Sequence, residues 1–121
     1  MVGRMGVRAD ILITESVLGR ILETVDSMLL DSPNAGVMLT GRSLEDDNGS
    51  YVVIEGLGDS EGLGICVASS EGGTDPTDEE ISLLKNRMKA GILMKADVFA
   101  HQFSFYKVGD EVSDATVLFV E

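Results

Sequence analysis

Gly64-Ile-Cys-Val-Ala-Ser-Ser-Glu71, continuing through Gly-Gly-Thr-Asp75 to Pro76-Thr77-Asp78-Glu79-Glu80, is the stretch on which the fold turns. Its opening, Leu63 to Ala68, is a short apolar run and reads as a strand. Ser69 to Asp75 is rich in Ser, Gly and Thr, the composition of a loop. Thr77 and Glu80 then stand at the spacing of a capping box, in which a hydroxyl and a carboxylate each take a backbone N–H at the start of a helix. Asp75 followed by Pro76 is an equally good start, because proline lacks only an N–H that the first turn leaves unpaired. Acids fill the first turn of this helix, Lys85, Arg87 and Lys89 fill its end, and Gly91 follows. That order suits the helix dipole and the glycine preference beyond a C-terminus. Ile81, Leu84 and Met88 give it a narrow apolar stripe.

Upstream, residues 14–30 form the clearest helical pattern. Thr14 is a suitable N-cap, and Val17, Leu18, Ile21, Leu22, Val25, Met28 and Leu29 recur at the spacing of one helical face. Gly19 costs about 1 kcal/mol against alanine there and is outweighed by the stripe. Pro33 disfavours helix for the residue before it and so ends the element. Two apolar runs follow, Ala35–Thr40 and Tyr51–Ile54, separated by a segment whose Asn48-Gly49 is a hairpin-turn signal. Asp46, Asp47 and Asn48 are out of register for a calcium loop, with Leu44 at the first ligand place. Glu55-Gly-Leu-Gly58 recurs as Glu61-Gly-Leu-Gly64 around Asp59-Ser60, but no helix opens behind these glycines as a dinucleotide-binding turn requires. Downstream, Ile92 to Lys107 alternates. Phe99, His101, Phe103 and Phe105 are expected on one side of a strand. Val108-Gly-Asp110 turns the chain, and Thr116–Val120 makes a last strand.

The chain has 121 residues, enough for one domain. We expect a loose N-terminal arm at residues 1–10 and a single α/β domain over 11–121. The expected class is α+β, or a mixed three-layer α/β sandwich, with two helices and about five to six largely antiparallel strands. A net charge of −12 argues against nucleic acid and against an anionic membrane surface as partners. The apolar share of 44 % argues against disorder. No apolar stretch is long enough for a membrane helix or a signal peptide core. The charge is unevenly placed: every charged residue between Arg42 and Lys85 is acidic, and basic residues then crowd into Lys85–Lys95. Solvated turns and helix capping account for most of those acids.

Few residues point to chemistry. Cys66 is the single cysteine, so no internal disulfide or Cys-based metal cluster is available, and a reducing cytoplasm is the expected setting. Within an apolar strand it reads as an inert core thiol. His101 is the single histidine. Between Phe99 and Phe103 it reads as a partly buried structural residue, and no nucleophile motif accompanies it.

The helix at Thr14–Leu30, the strand Gly36-Val-Met-Leu-Thr-Gly41, and Gly64 through Glu80 together resemble the JAB/MPN (JAMM) domain, a zinc-dependent isopeptidase fold with many non-catalytic members. Tyr51–Ile54 is similar to the family's second strand and Phe105–Val112 to a late strand and turn, so the resemblance spans roughly residues 12–121. A cytidine-deaminase-like layout is a second possibility for the same order of elements. The family resemblance implies that the two zinc-binding histidines fall at Val67 and Ser69, the metal-binding aspartate at Glu80, and the catalytic glutamate at or near Pro33. Val67 cannot ligate zinc and Ser69 is a poor substitute for imidazole. The family's helix between the second and third strands is also missing, leaving only Gly56–Gly62.

The resemblance therefore implies a degenerate member. Our expectation is a non-catalytic interaction or scaffold module, with no cofactor, acting on a protein partner or by self-association. The alternative is a small-molecule-binding domain or enzyme that uses the glycine-rich region 56–73 as a ligand loop, with Glu80 or His101 as acid or base. Six of the fourteen glycines fall in that region.

Overall fold

Residues 9–47, 49–58 and 62–120 are described by the structure of the chain, a computed structural model. The expected arm lies outside them as far as Arg8, and Asn48 and Asp59-Ser60-Glu61 of the two turn and glycine motifs also lie outside. Strand β1 (Ile11–Thr14) leads directly into helix α1 (Glu15–Met28). Thr14 ends the strand and caps the helix at once: its backbone is extended, and its Oγ1 accepts from Val17 N at 3.1 Å. Val17, Ile21 and Val25 are buried, with Leu18, Leu22 and Leu29 packed beside them. Each such aliphatic side chain contributes about 1.5–3 kcal/mol when fully buried.

Strands β2 (Asn34–Asp46) and β3 (Gly49–Gly58) form the long antiparallel hairpin that Asn48-Gly49 signalled, closing on the pair Asp46 and Gly49. Gly49 has φ +124°, which a side chain would resist. The ladder slips one residue at Thr40/Gly41, a bulge that needs glycine because a Cβ on Gly41 would overlap the Val53 carbonyl. Strand β4 (Gly64–Ser69), helix α2 (Asp78–Arg87) and strand β5 (Gly91–Asp97) make a β–α–β unit whose strands are parallel. Strands β6 (Gln102–Val108), β7 (Val112–Asp114) and β8 (Val117–Val120) complete the chain.

One sheet of eight strands results, in the order β7-β6-β5-β4-β2-β3-β1-β8. This corrects the expected five to six strands. β1 and β7 are too short, at four and three residues, to leave a periodic signature. The sheet is also more mixed than the hairpin signals implied, since β1 pairs in parallel with both β3 and β8, as β4 does with β5. The sheet curls, bringing Phe119 of β8 within 5.5 Å of Phe103 and 6.5 Å of Phe105, centroid to centroid, in edge-on contacts.

A second correction concerns residues 92–107. They are two strands joined by a turn at Asp97–His101, not one alternating run. Asp97 builds that turn: its Oδ1 accepts from Phe99 N and Ala100 N at 3.1 and 3.0 Å, and its Oδ2 accepts from Gly73 N at 2.8 Å. His101 takes φ +56°, and it is exposed rather than partly buried. Phe99, expected on a strand face, stands 63 % exposed in the same turn.

Side chains alternate across the central strands and divide the core in two. Cys66, Ala68, Met94 and Ala96 face α1 in the larger cluster, with Ile11, Ile13, Ile54 and Leu39. Ile65, Val67 and Leu93 face α2, meeting Leu84, Val108 and the flanking Ile81, Met88 and Tyr106. The two helices therefore lie on opposite faces of the sheet.

Candidate functional site

On the α2 face, the C-terminal end of β4 and the first turn of α2 enclose a cleft of about 430 Å³. Val67, Ser69 and Glu80 all line it, together with Asn34, Leu83 and Lys95. The sheet register explains the convergence. Ser69 pairs with Asn34 across the β2–β4 ladder, and Val67 pairs with Lys95 across the parallel β4–β5 ladder. Pro33, where the family's glutamate would fall, adjoins the same end, and its carbonyl accepts from Ser70 N at 2.8 Å. All four positions named by the resemblance are thus gathered at one end of the sheet.

Glu80 is held there by the capping box the sequence signalled. Its backbone N–H donates to Thr77 Oγ1 at 3.1 Å, and its Oε1 accepts from Thr77 N at 2.9 Å. Its other oxygen, Oε2, accepts from the Lys95 ammonium at 2.6 Å. Both side chains are withdrawn from water, 3 % exposed for Lys95 and 13 % for Glu80. Lys95 is the one buried charged residue among the described residues. Sequence reasoning counted it only among the basic residues of 85–95. The available signal was a lysine inside Ile92-Leu-Met-Lys-Ala96, an apolar run where a charge demands a partner.

These residues do not fit a zinc ion. Val67 offers hydrocarbon and is 2 % exposed within the cluster beneath α2. Ser69 offers a neutral hydroxyl, and its Oγ accepts from Glu71 N at 3.2 Å. The Glu80 carboxylate has both oxygens committed, one of them to a cation. Three nitrogen, sulfur or carboxylate ligands are the least that a protein zinc site uses. Among the described residues, no group of three or more His, Cys, Asp or Glu side chains stands close enough to hold a metal.

The other residues singled out by sequence fall elsewhere. His101 borders a shallow cleft on the α1 face with Leu22, Glu23, Asp26 and Asp97. It therefore shares no site with Glu80. Asp97 is held below the usual carboxylate range, chiefly by the Gly73 N–H and next by that of Ala100. Cys66 is buried, and burial pushes its thiol up to about 12, with the Glu80 carboxylate adding to the rise. A thiol so protonated is a poor nucleophile. The glycines of 56–73 do not gather into one loop. Gly56 and Gly58 lie in β3, Gly64 in β4, and Gly72 and Gly73 turn the chain beside Asp97. Gly58 also borders a larger groove of about 580 Å³, between α1, β2 and Arg87.

No protein-family model matches the sequence, and no curated protein matches it significantly. Solved structures do. One described as "JAMM: A Metalloprotease-like Zinc Site in the Proteasome and Signalosome" is 19 % identical, with 89 % of this chain and 97 % of that one covered and a TM-score of 0.60. A JAB1/MPN domain protein from Archaeoglobus fulgidus is 18 % identical over 88 % of this chain and 97 % of its own, at a TM-score of 0.56. A protein of Desulfitobacterium hafniense, solved in solution, is 13 % identical over 92 % and 93 %, at a TM-score of 0.68. The chain has a JAB/MPN-like fold. No helix among the described residues is long and apolar enough to cross a membrane.

Proposed function

We propose that this chain is a non-catalytic JAB/MPN-like module that works by binding protein, either a separate partner or a second copy of itself. One observation carries the reading: Val67, Ser69 and Glu80 converge in one cleft, yet only Glu80 carries a metal-ligating group, and Lys95 already neutralises it. The fold keeps the architecture of the metal segment and drops its chemistry. One fold neighbour is described by a metalloprotease-like zinc site in the proteasome and signalosome, and the cleft of this chain lacks the ligands for the zinc part of that description. Strand β8 supports a binding role. Among the described residues it forms one edge of the sheet and exposes Leu118 (52 %), Phe119 and Val120, and an open apolar edge is a template for another chain. A reducing, cytoplasmic setting suits the lone buried thiol.

The test is zinc content by elemental analysis, combined with an assay on isopeptide-linked ubiquitin-like substrates. The expected result is substoichiometric zinc and no cleavage, with light scattering reporting a discrete oligomer or capture of a defined partner. Stoichiometric zinc together with cleavage overturns the reading.

A further inference from the structure

We propose that Lys95 is a resident cation: its ammonium takes, from within the fold, the place a metal ion would take beside Glu80. The proposal rests on the non-catalytic reading above and gives that cleft its electrostatic logic. A carboxylate at the first turn of α2 is favoured by the helix dipole, but at 13 % exposure it still needs a counter-charge. Lys95 supplies one from the strand beside Val67, where the parallel register sets the two residues side by side. Its four-carbon stem lets the ammonium reach Glu80 from within the sheet.

Glu80 Oε1 meanwhile accepts from Thr77 N, so each oxygen already has a donor and one of the donors is a cation. A divalent ion entering the cleft would have to break this pair and sit beside a buried ammonium, whose repulsion is screened little away from water. The pair has a second consequence. It ties α2, the wall that carries Glu79 and Leu83 into the cleft, to β5 without any metal. The shape of the cleft is then independent of metal supply and of chelators.

A double-mutant cycle on the full chain tests this, read as thermal midpoints with and without excess zinc or EDTA. The proteins are the wild type, Glu80→Gln, Lys95→Met and the double variant. Gln at position 80 keeps an acceptor for the capping box and removes only the charge. Each single variant is expected to melt lower than wild type, the double variant to lose less than the sum of the two, and neither zinc nor EDTA to move the wild type. Additive losses with no zinc response overturn the assignment of Lys95 and leave the non-catalytic reading standing. Stabilisation of the wild type by zinc overturns both. Should Lys95→Met fail to fold, the Lys95 ammonium of ¹⁵N-labelled wild type gives an independent readout. A slowly exchanging ammonium resonance unmoved by excess zinc supports the proposal, and one that zinc shifts or broadens away contradicts it.

Discussion

The two helices sit on opposite faces of one sheet and are held there by different means. α1 buries Val17, Ile21 and Val25 against a cluster that includes Ile11, Ile13, Leu39 and Ile54. Its contact is mainly hydrocarbon, with a hydroxyl cap at Thr14 and a polar tie from the Arg20 guanidinium to the Glu55 carbonyl at 3.4 Å. α2 buries a single residue fully, Leu84, and leaves Leu83 39 % exposed. What it lacks in apolar area it makes up with a capping box and the buried Lys95–Glu80 pair. The lesson is about location. On the α1 face the polar groups Glu23, Asp26, Asp97 and His101 border a separate cleft and, among the described residues, form no ion pair there, whereas the thin apolar contact of α2 accommodates a buried ion pair. The cleft with Val67, Ser69 and Glu80 lies on that second face.

The contrast can be broken most severely at Lys95. Truncating one partner of a buried ion pair leaves the other uncompensated, so Lys95→Ala is expected to destabilise by about 3–5 kcal/mol, measured by urea unfolding. A loss below about 1 kcal/mol, the usual worth of an exposed pair, would mean that α2 is not held ionically. Next come the apolar anchors. Ile21→Ala and Leu84→Ala are each expected to cost about 2–5 kcal/mol, but with different reach. Ile21→Ala loosens the whole domain, while Leu84→Ala raises amide hydrogen exchange first in α2. Uniform exchange in both variants would erase the distinction between the faces.

Smaller effects sharpen it. Thr77→Ala removes the hydroxyl acceptor of the capping box and is expected to cost about 1 kcal/mol, with Thr14→Ala on α1 losing a similar amount. A clearly larger loss at Thr77 would show that the cap and the ion pair cooperate through Glu80. The smallest effect is at Asp97. Its folded carboxyl is held low by backbone N–H groups, so its contribution is present above the ordinary carboxylate value of about 4 and is lost as pH falls through the lowered folded value. Asp97→Asn should flatten that acid-side slope in a series of melts between neutral pH and strong acid. An unchanged slope would show that other carboxylates set the acid limit.

Much of this was legible in the chain itself, and the exceptions have physical reasons. The capping box at Thr77 and Glu80, the Thr14 cap, the stripe of α1 and the Asn48-Gly49 hairpin are local signals, written in residues a few positions apart, and each appears where the spacing put it. The break at Asp97–His101 was hidden because Val98, Phe99 and Ala100 are apolar and carry no glycine or proline. The turn is made instead by the Asp97 side chain, whose third bond reaches back to Gly73, a contact no local pattern encodes. β1 joins the sheet by pairing with β3, and β8 joins it by pairing with β1, more than a hundred residues away in the chain. For the site, the resemblance pointed to Val67, Ser69 and Glu80, which line one cleft. It missed Lys95 because the pair with Glu80 spans a whole helix and is visible only once β4 and β5 lie side by side.

The cation proposed to fill the place beside Glu80 is the Lys95 ammonium. The most direct measurement is a crystal structure grown with excess zinc, with anomalous data collected at the zinc absorption edge. The expected result is no anomalous peak in the cleft, with Lys95 Nζ still within hydrogen-bond distance of Glu80 Oε2. A zinc peak on Glu80 and Ser69, with the Lys95 side chain swung away, would contradict it.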